Sequence, residues 1–167
     1  LDVIPILKKA LELKLERVVD LGPFKHKVDD GALIRRAAIS CVATFVENAQ
    51  TTHPDLIPLA LLALADKLDD VQLAAHALFV KMAELVPDAL SSNSDPTSDL
   101  PDKAITKKTK DATTKPGTDS DRAYDLVRSA LKAALALAPL SPNAQAFIDK
   151  LMKKDKIAAE INKLAPP

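Results

Sequence analysis

Glycine is scarce in this sequence, with three in 167 residues. β-Sandwiches and phosphate-cradling loops use glycine freely, so both are disfavoured from the outset. The single cysteine, Cys41, excludes an intramolecular disulfide framework and a multi-cysteine zinc site, and it fits a reducing compartment. An excess of either charge is also missing. Twenty-three basic residues meet 23 acidic ones, which argues against an electrostatic clamp on nucleic acid or anionic lipid. No apolar run approaches the ~20 residues needed to span a bilayer. The chain opens at Leu1 inside an apolar pattern, with neither an initiator Met nor a signal-peptide layout, and reads as a piece of something longer. What abounds is alanine, 27 residues, and leucine, 25, both strong helix formers. An almost wholly helical protein follows, sized for one domain or several stacked repeats.

Val3, Ile4, Leu7 and Leu11 recur at spacings of three and four, predicting a first helix that begins near Ile4 because Pro5 is tolerated only in its first turn. The pattern then alternates. Arg17, Val19 and Leu21 share one face of an extended arm, and Phe24, His26 and Val28 share one face of a second. Between the arms, Gly22-Pro23 suits a two-residue type II′ turn that sets Asp20 opposite Lys25, as a favourable charge pair, and Val19 opposite His26. A four-residue loop is the alternative. Residues 15–30 are therefore read as a protruding β-hairpin. Such a hairpin is marginal alone, so it either folds back onto the core or presents its tip, with Phe24 as an aromatic anchor, to a partner.

Helical periodicity resumes after Asp29-Asp30, acids placed to cap a helix whose predicted apolar stripe runs through Leu33, Ile34, Ala37, Ala38, Cys41, Val42 and Phe45. That stripe would bury Cys41 as a small core side chain. A second helix is expected over 55–65 and a third from Asp69-Asp70 through Ala74, Ala77, Leu78, Met82 and Leu85, stopping before Pro87. Short connections between amphipathic helices imply antiparallel pairs stacked side by side. Residues 91–122 contain only Leu100, Ala104, Ile105 and Ala112 as apolar positions and are read as a polar loop or partly disordered insertion, with room for a short helix over 102–110. A helix resumes near Asp121 with Tyr124, Val127, Leu131 and Leu135 on one face. Ser141 then caps a helix with Pro142 at its first position, followed by Ala144, Phe147, Ile148, Leu151 and Met152. A last helix carries Ile157, Ala158, Ile161 and Leu164.

No catalytic constellation emerges. His26, His53 and His76 fall on a strand, a loop and a helix with no second metal ligand at a recognisable spacing. Asp29-Asp30 and Asp69-Asp70 precede helices, where the helix dipole explains them without acid–base chemistry. The run Lys107, Lys108, Lys110 and Lys115 lacks an aromatic for base stacking and is surrounded by aspartates, so it reads as a solvated loop. Neither an active site nor a metal nor a cofactor is expected, and the protein is read as a non-enzyme.

The stretch Val18-Val19-Asp20-Leu21-Gly22-Pro23-Phe24-Lys25-His26-Lys27-Val28-Asp29-Asp30-Gly31, followed by Leu33-Ile34-Arg35-Arg36-Ala37-Ala38, resembles the C-terminal domain of the Cand family, the cullin-associated and neddylation-dissociated proteins. Asp70-Val71 with Leu85-Val86-Pro87 looks like that family's next helix pair, and 125–137 is similar to a later Ala-rich helix. The resemblance is strong over 17–46 and thin over most of the rest. The more polar 91–122 segment and the slimmer Ala-rich helices mark a divergent member.

What the resemblance implies is an all-α HEAT-repeat solenoid of antiparallel helix pairs with one inserted β-hairpin, residues 1–167 being a single C-terminal fragment of a longer array. It implies a cytoplasmic and nuclear protein without nucleic-acid or membrane partners. Its partners would be the cullin N-terminal region of a ubiquitin ligase and the remaining N-terminal part of its own solenoid. The hairpin would compete with the substrate-receptor adaptor and so serve exchange of ligase modules. The matching hairpin positions are Val19, Leu21, Gly22, Pro23, Phe24, Lys25, His26 and Val28, with Leu21 and Phe24 for apolar contact and Lys25 at the rim. A generic helical-repeat scaffold or transport adaptor is the alternative. A solenoid cut at its start also exposes a face, for which Val3, Ile4 and Leu7 are the expected sticky residues.

Overall fold

The structure, a computed structural model, describes residues 3–20, 22, 25–49, 55–92 and 118–164. Among these residues there are eight α-helices and two strands. Helix α1 spans Ile4–Glu12, with Pro5 in its first turn, where its missing N–H costs no helical bond. Strands β1 (Glu16–Asp20) and β2 (Lys25–Asp29) pair antiparallel. Helices α2 (Gly31–Ala49), α3 (Leu56–Leu64), α4 (Asp69–Leu85) and a short α5 (Pro87–Ser92) follow. The long α6 (Thr118–Leu137) runs through a single 3₁₀ turn into α7 (Pro142–Met152) and α8 (Asp155–Leu164). Ser141 caps α7 as expected, its hydroxyl accepting the Ala144 N–H.

The helices form a ladder. In one row α2 packs on α4, α4 on α6 and α6 on α8; on the other side α1 packs on α3, and chain neighbours also meet from α1 to α5 and from α6 to α8. Contacts confined to successive elements define a HEAT-like solenoid. The main core joins Leu7 and Leu11 of α1, Val42 and Val46 of α2, nearly all of α3, and Val71, Phe79 and Met82 of α4 to Ala134 and Leu137 of α6. A second, smaller core gathers Val127, Leu131, Leu151, Ile157 and Ile161 between α6, α7 and α8.

Several expectations are corrected here. On α2 the buried side chains are Arg35, Ala38, Ile39, Val42 and Val46, whereas Leu33, Ile34, Ala37 and Cys41 are exposed. The predicted stripe had the right period and the wrong phase, because a buried arginine, rather than the leucine–isoleucine pair, faces inward. On α4, Ala77 and Leu85 turn outward while Val71, Ala75, His76 and Phe79 take the core. Leu7 is buried and Val3 and Ile4 pack against the core, so these three are not the sticky residues. Pro87 ends one helix and opens another, with Leu90 buried beneath it. Helix enters the 91–122 segment from both ends, since α5 includes Ser91 and Ser92 and α6 begins at Thr118 rather than near Asp121. Residues 93–117, with the lysine run and the helix expected over 102–110, lie outside the described residues, as does the break at 51–54.

Candidate functional site: the hairpin and its root

The register is the predicted one, Asp20 opposite Lys25 and Val19 opposite His26, continuing through Arg17 opposite Val28. Side chains alternate across the ribbon. One face therefore carries Arg17, Val19, His26 and Val28, and the other carries Glu16, Val18, Asp20, Lys25, Lys27 and Asp29. Gly22 has φ +78°, a left-handed conformation that favours glycine. The Asp20 carboxylate accepts the Gly22 N–H at 3.1 Å, a turn-stabilising bond. Leu21, Pro23 and Phe24 lie outside the described residues, and both turn readings share the observed register.

Of the expected site residues, Lys25 and His26 are exposed, as is Gly22, and Val19 and Val28 are half-buried. No described strand residue is fully buried, and Val18 points into solvent at 60% exposure. The stem is thus held mainly from below, and the holding is polar. Asp29 Oδ1 accepts the Leu15 N–H at 2.9 Å and the Gly31 N–H at 3.0 Å, closing the strand end and supplying the first N–H of α2 with an acceptor. Asp30 N donates to the Leu15 carbonyl, and the Asp30 carboxylate pairs with Arg17 at 2.5 Å.

Arg35 organises this root. Its guanidinium is 1% exposed. Nη1 donates to the Leu13 carbonyl at 2.6 Å, and Nη2 donates to Asp29 Oδ2 at 2.8 Å. Nε lies 2.7 Å from Asp66 Oδ2, an ion pair without hydrogen-bond alignment. Asp66 in turn accepts the Leu68 N–H ahead of α4. One cation therefore ties the end of α1, the hairpin, α2 and the α3–α4 turn together. Burial opposes its charge, but the Asp29 and Asp66 carboxylates outweigh that and raise its pKa. The same bond from Arg35, with the Leu15 and Gly31 N–H groups, holds the Asp29 carboxyl below its ordinary value.

Gly31 is required for a separate reason. A Cβ there would meet the Leu13 carbonyl oxygen at 2.7 Å, with Arg35 Nη1 and Asp29 Oδ1 both at 3.0 Å. The root network escaped the reading of the sequence. Its signal was available: an arginine at the inward phase of a helix whose other inward residues are Ala38, Ile39, Val42 and Val46 must find carboxylate partners. Beside the root, a cleft of about 500 Å³ is lined by Leu11, Val28, Leu62 and Leu68 together with Glu12, Lys14, Glu16 and Lys27.

His53 lies outside the described residues, and among those described the histidines and the cysteine do not converge. His26 is on the exposed strand, His76 is buried in α4 and Cys41 is exposed on α2. Among the described residues no group of three or more His, Cys, Asp or Glu side chains is placed to hold a metal, and no helix is long and apolar enough to cross a membrane. What is built is a helical-repeat protein offering a rigidly rooted ribbon, the architecture of a protein-interaction module. The chain belongs to the TIP120 family, described as TATA-binding protein interacting, whose model matches residues 2–163. It is 34% identical over 141 residues to a protein of Arabidopsis thaliana named cullin-associated NEDD8-dissociated protein 1, covering 81% of this chain and 11% of that relative. Proteins of the same name from Dictyostelium discoideum and Drosophila melanogaster are 32% and 30% identical, covering 96% and 97% of this chain and 14% and 13% of theirs. The chain thus spans only about an eighth of the length of these relatives.

Proposed function

We propose that this chain is a non-enzymatic cullin-binding regulator whose hairpin engages the cullin N-terminal region. There it competes with the substrate-receptor adaptor and so takes part in exchanging the modules of cullin-RING ubiquitin ligases in cytoplasm and nucleus. The observation that carries this reading is the hairpin itself. Its stem carries no fully buried side chain, with Lys25 and His26 exposed beside the turn, while its base is fixed by the buried Arg35. A ribbon built this way can insert into a partner without reorganising its own root, which keeps the ordering cost of binding low. The names of the relatives supply the partner kind. In this reading Leu21 and Phe24 make the apolar contact, Lys25 sits at the charged rim, and Val19, Gly22, Pro23, His26 and Val28 shape the ribbon.

The test is a titration against a purified cullin N-terminal region, with and without saturating adaptor. Binding that adaptor suppresses is the expected result, and the double substitution Leu21→Asp, Phe24→Asp is expected to abolish it while leaving the helical circular dichroism unchanged. Binding indifferent to adaptor would retain the partner and remove the competition. Absence of binding would leave a helical-repeat scaffold or transport adaptor without cullin specificity.

A further inference from the structure

The two outer edges of the hairpin differ. Asp30 N–H donates to the Leu15 carbonyl, which makes Leu15 and Asp30, one step below the Glu16–Asp29 pair, a hydrogen-bonded pair of the ladder. Such pairs alternate along an antiparallel ribbon, so Arg17 bonds across it to Val28 and Val19 to His26. Glu16, Val18 and Asp20 then turn their N–H and C=O groups outward along β1, and Lys25 and Lys27 do so along β2. Among the described residues the sheet has no third strand. On β2 these outward positions are lysines, the residue with which natural sheets guard an edge. On β1 they read acid, apolar, acid, with Val18 60% exposed between the exposed Glu16 and Asp20. Among the described residues neither carboxylate is held in an ion pair, and Asp20 accepts the Gly22 N–H alone.

We infer that the outer edge of β1 is a docking edge for an extended segment of a partner protein, one with basic, apolar and basic residues at alternate positions. Strand addition takes its affinity from main-chain hydrogen bonds and its specificity from alternate side chains. The outward backbone groups of Glu16, Val18 and Asp20 supply the first. For the second, basic residues set directly opposite Glu16 and Asp20 form favourable cross-strand pairs, and an apolar one covers Val18. A second copy of this chain fits badly. Pairing β1 with β1 antiparallel about Val18 sets Glu16 against Asp20 twice, and like charges directly opposite destabilise. The Arg35 root already holds the stem in place, so the ordering cost of docking falls on the incoming segment. Glu16, Val18 and Asp20 are not among the residues assigned to the cullin contact, and the inference stands apart from that reading.

The probe is a capped threonine peptide carrying Lys, Val and Lys at three alternate central positions, titrated into the full chain and followed by amide hydrogen exchange. At saturation, exchange at the Val18 N–H is expected to slow about tenfold, while Arg17 and Val19, already bonded across the ribbon, are unchanged. The same peptide with Glu in place of both Lys is expected not to bind. Val18→Lys places on β1 the guard that β2 already has; at a site open to solvent it is expected to keep the melting temperature and to abolish binding. Glu16→Lys is expected to weaken binding severalfold with the melting temperature likewise kept. Failure of the Lys peptide to protect Val18 would overturn the inference, as would equal protection by the Glu peptide or binding that survives Val18→Lys. Protection of Lys25 and Lys27 in place of Val18 would make β2 the docking edge and overturn it too. Protection of Val18 that rises with concentration of this chain alone would make a second copy the occupant, with the same consequence.

Discussion

Arg35 Nη2 donates to Asp29 Oδ2 at 2.8 Å from a guanidinium that is 1% exposed, so the direction in which the hairpin leaves the solenoid is set by one buried ion pair. Replacing Arg35 by Leu leaves Asp29 and Asp66 without their cation and the Leu13 carbonyl without its donor. Breaking a buried pair by deleting one partner costs about 3–5 kcal/mol. A corresponding drop in stability is expected in urea unfolding, together with faster amide exchange at Leu15 and Gly31, whose N–H groups Asp29 accepts. A Leu variant as stable as the parent would show the network to be dispensable.

The two described glycines of the hairpin region answer to different physics. Gly31→Ala drives a methyl to within 2.7 Å of the Leu13 carbonyl oxygen, and overpacking of that kind costs about 1–3 kcal/mol. Gly22→Ala meets nothing within 4 Å and suffers only its φ of +78°, a penalty of about 1–2 kcal/mol. Thermal melts are expected to rank Gly31→Ala as the more damaging. Exchange is expected to spread from the root in that variant and to stay at the tip in Gly22→Ala.

His76 is buried at 5% exposure, and burial lowers its pKa to about 4. The native state therefore binds fewer protons than the unfolded chain, whose histidine titrates near 6.5. Stability is full above that value and falls as the pH drops from about 6.5 to about 4, by an amount on the order of 3 kcal/mol. His76→Leu is expected to flatten the stability profile across this window in urea titrations at pH 5 and pH 7.5. A slope surviving in the variant would assign the effect to other groups.

Glu160 ties the last helix down. Its carboxylate accepts from Lys163 at 2.8 Å and lies 3.9 Å from Arg128, whose guanidinium sits over the Tyr124 ring. The bonds from Lys163 and Tyr124 lower its pKa, so it is charged at neutral pH. Glu160→Gln removes that charge at nearly constant volume. Faster amide exchange along α8 is expected, with the hairpin root unchanged; a global change in exchange would contradict it.

Much of this fold is legible in the sequence. The 3.6-residue spacing of Val3, Leu7 and Leu11, the Ser141-Pro142 start of α7 and the alternation of the two hairpin arms each carry local information, and each of these elements stands where local rules put it. The phase of α2 was not readable in the same way. Leu33 and Ile34 outrank Arg35 on any hydrophobicity scale, and burial of the arginine becomes tolerable only through partners brought together by the fold, Asp29 and the Leu13 carbonyl on one side and Asp66, 31 positions further along the sequence, on the other. The hairpin's register was legible in the alternation of its arms, whereas its anchoring depended on groups from the end of α1, from α2 and from the α3–α4 turn that no local pattern links.

The division of the interior into two clusters, bridged by Leu135 and Phe147, bears on how such a sequence can drift. Substitutions among Val127, Leu151, Ile157 and Ile161 are answered by their own few neighbours, and additivity between distant sites means they exert little pull on Arg35 or Asp29. Lineages can therefore rewrite the far end of the array at their own pace while the ribbon and its root stay under separate selection.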